Sequence, residues 1–335
     1  MLLFILKRIL AAIPVLFVLS VVTFTIIHAR PGDYGDYVYS MLTSRGVSSV
    51  EAQRAAEAAR VQYGLNDPAP VQYFKWIKGI VTEGDFGYSF YYNRPVRDVV
   101  AERLPATLAL ALTCHILATL LGVSLGIIAA TRQYSWADTA LSFLSFIGMT
   151  VPRFLLAIII LYILAFRMNA QNFGTFFSSQ YGGAPWSWAK FVDLVQHVWP
   201  VILIATFGGL AYNMRVMRAN LLDTLNAQYV ETARAKGLPE SAVIMRHAVP
   251  NALHPLVAYQ GVALPYMLTG EIEVAIVFSL ATVGPAIVGS MAVGDVYVTA
   301  TFMLVLAATL IVGNIIADVL LAVLDPRVRL GGSAA

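Results

Sequence analysis

Long apolar runs of about 20 residues alternate with short polar stretches along most of this chain. They lie at 9–27, 106–130, 140–165, 198–216, 257–278 and 298–324. At 1.5 Å per residue, about 20 apolar residues cross the hydrocarbon layer of a bilayer. The pattern predicts an all-α polytopic membrane protein of six transmembrane helices, with an extracytoplasmic insertion after the first. Lys7 and Arg8 precede the first run as they would in a signal peptide. That run is too long for a signal core, and "IIHARPG" offers no A-x-A cleavage site, so it reads as a retained helix.

Polar patterning divides the rest: a first helix over 1–28, an insertion over 29–104, a five-helix core over 105–324 and a tail over 325–335. Within the insertion, "SSVEAQRAAEAARVQYGL" predicts a helix capped by Ser48 or Ser49 and stopped near Gly64. "NDPAPVQYFKWIKGIV" predicts a turn followed by an amphipathic helix, and "EGDFGYSF" a turn or short hairpin. "RPVRDVVAERLP" reads as an interfacial helix with Val96, Val99 and Val100 on one side, after which Pro105 opens the second span. Gly122 and Gly126 have the spacing that lets membrane helices approach closely. The Trp-rich "PWSWAKFVDLVQHVWP" predicts an interfacial anchor.

Composition agrees with this picture. The 335 residues are 59% hydrophobic and only 12% charged, with a mean hydropathy of +0.72. Soluble domains are about half apolar and about a quarter charged. A net charge of +3 without a dense basic run excludes nucleic acid as a partner and leaves membrane lipid. The lone Cys114 rules out an internal disulfide or a thiolate metal site. Orientation follows from lysine and arginine. With both termini inside, ten basic residues fall in short cytoplasmic segments, against Arg167 and Lys190 in the short outer loops.

One cytoplasmic segment, about 219–256, is far longer than a simple connection requires. "DTLNAQYVETARAK" predicts a helix with Glu231 and Arg234 one turn apart. Gly237 is a natural left-handed stop, and Pro239 can begin a second helix, "PESAVIMRHAV", which Pro250 bends or ends. Such an elbow suits docking into a groove on another protein.

At this segment the chain resembles a known family. "ETARAKG", nine residues, then "HAVP" is similar to the EAA loop of ABC importer permeases. Glu231, Thr232, Ala233, Gly237, Pro239, His247 and Pro250 stand at or beside its motif positions, with His247 replacing the usual Ile. "YVETARAKGLPESAVIMRHAVPNALHPLV", "YGLNDPAPVQYFKWI", "GDFGYSF", "RLPATLAL" and the closing "LDPRVR" resemble the dipeptide/oligopeptide branch nearly end to end. The resemblance implies a multi-pass subunit of a bacterial inner membrane with both termini cytoplasmic. It implies four kinds of partner: a second homologous permease, two ATP-binding subunits or domains, a periplasmic substrate-binding protein, and lipid. Asp67, Pro68, Gly84, Asp85 and Gly87 become candidates for a periplasmic docking or gating face. Peptides are the implied cargo; similar permeases also serve oligosaccharides and nickel.

The chain itself has no G-x-x-x-x-G-K-[ST] loop. Its five histidines show no metal-ligand spacing, and no nucleophile–base set is present. It is therefore expected to need no cofactor and to catalyse nothing, with ATP hydrolysed by partner subunits.

Charges inside the spans are the remaining anomaly. Arg153 lies in the third span, and Glu271 and Glu273 in the fifth. Counted along straight helices from the cytoplasmic side, all three sit about 20 Å deep. Intramembrane charges are costly and mark pathways or pairs. The expectation is that Arg153 and one glutamate line the translocation path; the alternative is a structural ion pair between the two spans. Glu271 and Glu273 should not share a helix face. Here the chain also departs from its branch, which has a glutamate at the position of Ala275 and Pro-Gly at Ala281–Thr282. A rival function is a self-sufficient, proton-coupled transporter using Glu271 or Glu273, but no inverted repeat supports it. Asp318 is expected to pack between helices.

Overall fold

The computed structural model of the chain describes residues 2–170, 173–263 and 267–324. The tail over 325–335, with "LDPRVR", lies outside them. The described residues form helices, with one two-stranded hairpin and a longer connection before Trp188 that holds a single 3-10 turn, Ser179–Tyr181. The chain falls into two compact units, residues up to Ala106 with Ala281–Val312, and Thr107–Leu280 with the chain from Gly313 onward.

The first unit begins with the apolar α1 (Leu2–His28). Its next helix, α2 (Tyr34–Ser44), opens on a capping box in which Asp33 and Asp36 each accept from the other's backbone amide. Ser48 caps α3 (Ser49–Tyr63), and Gly64 ends it at φ 66°. Pro68 precedes α4 (Ala69–Glu83), which Gly84 ends at φ 65°. The stretch "GDFGYSF" leads into an antiparallel hairpin of β1 (Tyr88–Ser89) and β2 (Arg94–Pro95). The expected interfacial helix and second span are instead one helix, α5 (Val96–Thr131), with Pro105 in its interior. Buried Val96 and Val99 pack with Val283, Ala286 and Phe302, which holds the first turns in register despite the amide that Pro105 lacks. The unit closes with α13 (Val283–Val293) and the part of α14 (Val296–Leu324) up to Val312; Asp318 lies in the last two turns of α14.

A buried carboxylate ties this unit together. Asp295, 1% exposed, accepts hydrogen bonds from Ser89 Oγ at 2.7 Å, Tyr91 N at 3.1 Å and Val298 N at 3.2 Å. It thus caps α14 and clamps the hairpin. Burial pushes its carboxyl above the usual range, against the pull of those hydrogen bonds.

In the second unit, α6 (Trp136–Thr150) and α7 (Arg153–Tyr162) meet at a 102° bend. Val151 is extended there because Pro152 disfavours a helical residue before it. Arg153 is therefore the first residue after a break, and a depth counted along a straight third span does not apply. A π turn, Ile163–Arg167, follows. The long α8 (Trp188–Leu225) is the packing centre. A Cβ on Gly122 or Gly126 would lie 2.6–2.7 Å from Asn213, Met214 or Met217, and one on Gly148 would lie 2.7 Å from Ala211. Glycine is what permits these approaches. The Trp-rich segment becomes the start of α8, with Trp186 and Trp188 exposed and Lys190, Asp193 and His197 buried.

After α8 come α9 (Gln228–Ala235), the single turn α10 (Glu240–Ala242), a π turn over Val243–Ala248 and α11 (Val249–Ala263). The expected single helix over 223–236 is interrupted at Asn226–Ala227. Pro250 does not end the helix: helical backbone runs on from the π turn into α11, and the widened turn just before Pro250 accommodates the amide it lacks. The unit continues with α12 (Met267–Val277); residues 264–266 of the expected fifth span lie outside the described residues. By length and composition four described helices can cross a membrane, or five if the bent α6–α7 pair is one crossing.

Candidate functional site

Two features of the second unit collect the residues that the sequence singled out. The first is the elbow between α8 and α11. Gly237 adopts φ 76°, where a side chain is strained although nothing lies within 4 Å of its would-be Cβ. The turn there folds Glu240 back onto Arg234, whose guanidinium donates to Glu240 Oε1 at 2.8 Å and to the Leu225 carbonyl at 3.3 Å. Arg234 thus pairs across the turn rather than with Glu231 along the helix. Its hydrogen bonds hold the Glu240 carboxyl below the usual range. Glu231, Thr232, Gly237 and Pro239 are exposed, and so are Tyr229 and Leu238. Ala233 points inward and is buried with Val230, Val243, Ala248 and Val249 against Met217 and Leu221 of α8. His247 is half-buried in the π turn, and Pro250 is exposed. The elbow therefore has a polar outer face and an apolar underside locked to α8.

The second feature is a cavity of about 470 Å³ whose lining includes His115, Arg153, Gly208, Tyr212, Asn213, Tyr259, Gln260 and Glu273. Beside it is a smaller space of about 60 Å³, lined in part by Cys114, His115, Arg153, Gly270 and Glu271. Arg153 lies in the wall of both. The two glutamates divide between them: Glu271 is buried and Glu273 exposed, as the helical angle of about 200° over two residues requires.

The charges in the sequence point to this place, but its neutral groups do not announce themselves there. Thr119 of α5, Asn213 of α8 and Gln260 of α11 form a closed ring. Thr119 Oγ1 donates to Gln260 Oε1 at 3.1 Å, Gln260 Nε2 to Asn213 Oδ1 at 3.1 Å, and Asn213 Nδ2 to Thr119 Oγ1 at 3.5 Å. The rings of Tyr212 and Tyr259 pack at a tilt of 34° with centroids 4.5 Å apart. An amide within each of two apolar runs is the one available signal.

Within the first unit, Asp67, Pro68, Gly84, Asp85 and Gly87 bracket α4. Asp67 accepts from Lys75 Nζ at 2.6 Å, and Asp85 Oδ1 accepts from the Gly87 amide at 2.9 Å. Gly87, at φ 91°, lies under the ring of Tyr297, 3.1 Å from its would-be Cβ. Each has a local structural task, while Pro68, Gly84 and Asp85 remain exposed.

Comparison with known proteins decides the family. Residues 122–330 match the model of the binding-protein-dependent transport system inner membrane component, and residues 1–111 match its N-terminal companion. This chain belongs to that family. The permease is 34% identical over 330 residues to the oligopeptide transport system permease protein AppB of Bacillus subtilis, covering 97% of this chain and 99% of that one. It is 33% identical over 336 residues to OppB of Escherichia coli, covering 98% and 100%. A putative peptide permease protein of Brucella ovis is 33% identical over 331 residues, covering 98% and 99%. The permease is thus a non-catalytic, multi-pass inner-membrane transport subunit, and the self-sufficient, proton-coupled alternative falls away.

Proposed function

We propose that this permease carries peptides as one of two membrane subunits of an ATP-binding-cassette importer. A homologous permease forms the other half of the passage, two ATP-binding subunits dock from the cytoplasm, and a periplasmic binding protein delivers cargo. The chain crosses the membrane six times, by α1, α5, the bent α6–α7 pair, α8, α11–α12 and α14, with both termini cytoplasmic. The 29–104 insertion faces the periplasm, and its exposed Pro68, Gly84 and Asp85 meet the binding protein. Peptide cargo is favoured over oligosaccharide or nickel by the names of the relatives, which match along nearly their whole length.

The elbow carries the proposal. Its exposed face over 231–239 docks in a cleft of the ATPase, and Gly237 sets the turn. When the ATPases close, the push passes through buried Val230, Ala233 and Val243 to α8. There it reaches the helix that also lines the Arg153 cavity. Arg153, Glu271 and Glu273 line the path that opens. The test is purification of tagged protein from native membranes, wild type beside Gly237→Pro. Wild type should bring ATPase and second-permease chains with it, and the variant should keep the permease partner and lose the ATPase. Wild type emerging without any ATPase would overturn the proposal.

A further inference from the structure

Arg153 is held in a slot that two glycines open for it. A Cβ on Gly208 of α8 would lie 2.9 Å from Arg153 Nε and 3.0 Å from Nη2, and one on Gly270 of α12 would overlap Nη1. Alanine at either position would displace the guanidinium. Arg153 is half-buried and stands at both cavities. A guanidinium offers paired donors in a plane that matches a carboxylate. Glu273 is exposed and lines the same 470 Å³ cavity, where its carboxylate supplies the opposite charge. The amide and aromatic part of the wall is neutral. Asn213 and Gln260 already hydrogen-bond each other, and the Tyr212–Tyr259 pair presents aromatic surface without a charge requirement. Such a wall discriminates little among side chains, whereas its two charged groups discriminate strongly between a charged and a blocked end group.

We propose that Arg153 reads the carboxylate of a peptide in transit while Glu273 receives its ammonium end, so that the permease itself selects zwitterionic peptides. This inference rests on the peptide reading above and adds selectivity inside the membrane to that of the binding protein.

The test uses the full importer complex in proteoliposomes with its binding protein, and three probes: trialanine, its C-terminal amide, and N-acetyl-trialanine. The binding protein is common to all preparations, so a change in the ratio of uptake rates between variants reports on the permease. For Arg153→Gln, the preference for trialanine over its amide should fall at least tenfold, mainly by loss of trialanine uptake. Arg153→Lys should restore part of it, and Gly270→Ala should reproduce Arg153→Gln by evicting the guanidinium. Glu273→Gln should lower the preference over the N-acetyl probe and leave the amide ratio unchanged. If Arg153→Gln slows all three probes equally, or changes no ratio, Arg153 is not a carboxylate reader and the inference fails alone. If the wild-type complex hydrolyses ATP but takes up none of the probes, the peptide reading fails and the inference with it.

Discussion

A carboxylate buried to 1% exposure in a turn beside an apolar helix needs a reason, and Asp295 has three: the hydroxyl of Ser89 and the amides of Tyr91 and Val298. Burial nonetheless outweighs those bonds and raises its titration above the ordinary value of 3.8. Between 3.8 and the raised value, the folded protein holds a proton that the unfolded chain has released. Stability of this clamp therefore falls as pH rises through that window and is level above it. Hydrogen exchange at the Tyr91 and Val298 amides, corrected for intrinsic rates, should show protection declining from about pH 4 to a plateau. Asp295→Asn should abolish the slope; protection that rises with pH would contradict the assignment. Single residues are half legible in the sequence. Arg153, Glu271 and Glu273 stand out because charge in an apolar run is rare. The Thr119–Asn213–Gln260 ring does not, because a neutral amide is a weak signal until three helices bring its partners together.

The elements follow local chemistry wherever a cap or a glycine decides them, and depart from it where packing does. Ser48, Gly64, Gly84 and Gly237 act where local chemistry puts them. Pro105 and Pro250 look like boundaries in the sequence, yet α5 runs through the first and α11 contains the second. Buried Val96 and Val99 outweigh one lost amide. Pro152 is the proline that does break its helix, and it changes the meaning of Arg153 from mid-span charge to first residue of a new helix. Glycine packing around α8 can be tested by adding bulk. Gly126→Leu places carbon 2.7 Å from the Met214 carbonyl and Met217 Cβ, so helices must separate at a cost on the order of 1–3 kcal/mol. The purified protein should melt several degrees lower, while Gly183→Ala, with open space around it, should melt as wild type. Equal melting of Gly126→Leu and wild type would mean that α5 and α8 do not pack as described.

Across the full chain, hydropathy alone announces a membrane protein, but length reveals four or five of the six expected crossings among the described residues. The α6–α7 bend divides one crossing between two shorter helices, and residues 264–266 of the expected fifth run lie outside the described residues. Orientation can be read chemically, since Cys114 is buried and is the sole cysteine. In a Cys114→Ala background, Asp67→Cys should react with a membrane-impermeant maleimide added outside the inner membrane. Glu231→Cys should react only after permeabilisation, and the reverse pattern would invert the topology. Above all, the permease should be powered by an external ATPase acting through the elbow. Uptake of labelled trialanine into proteoliposomes of the complex decides this, comparing ATP inside with a protonophore present against a proton gradient without ATP. Uptake is expected in the first condition, abolished by Gly237→Pro, and none in the second. Uptake that follows the proton gradient and ignores ATP would contradict ATPase coupling through the elbow.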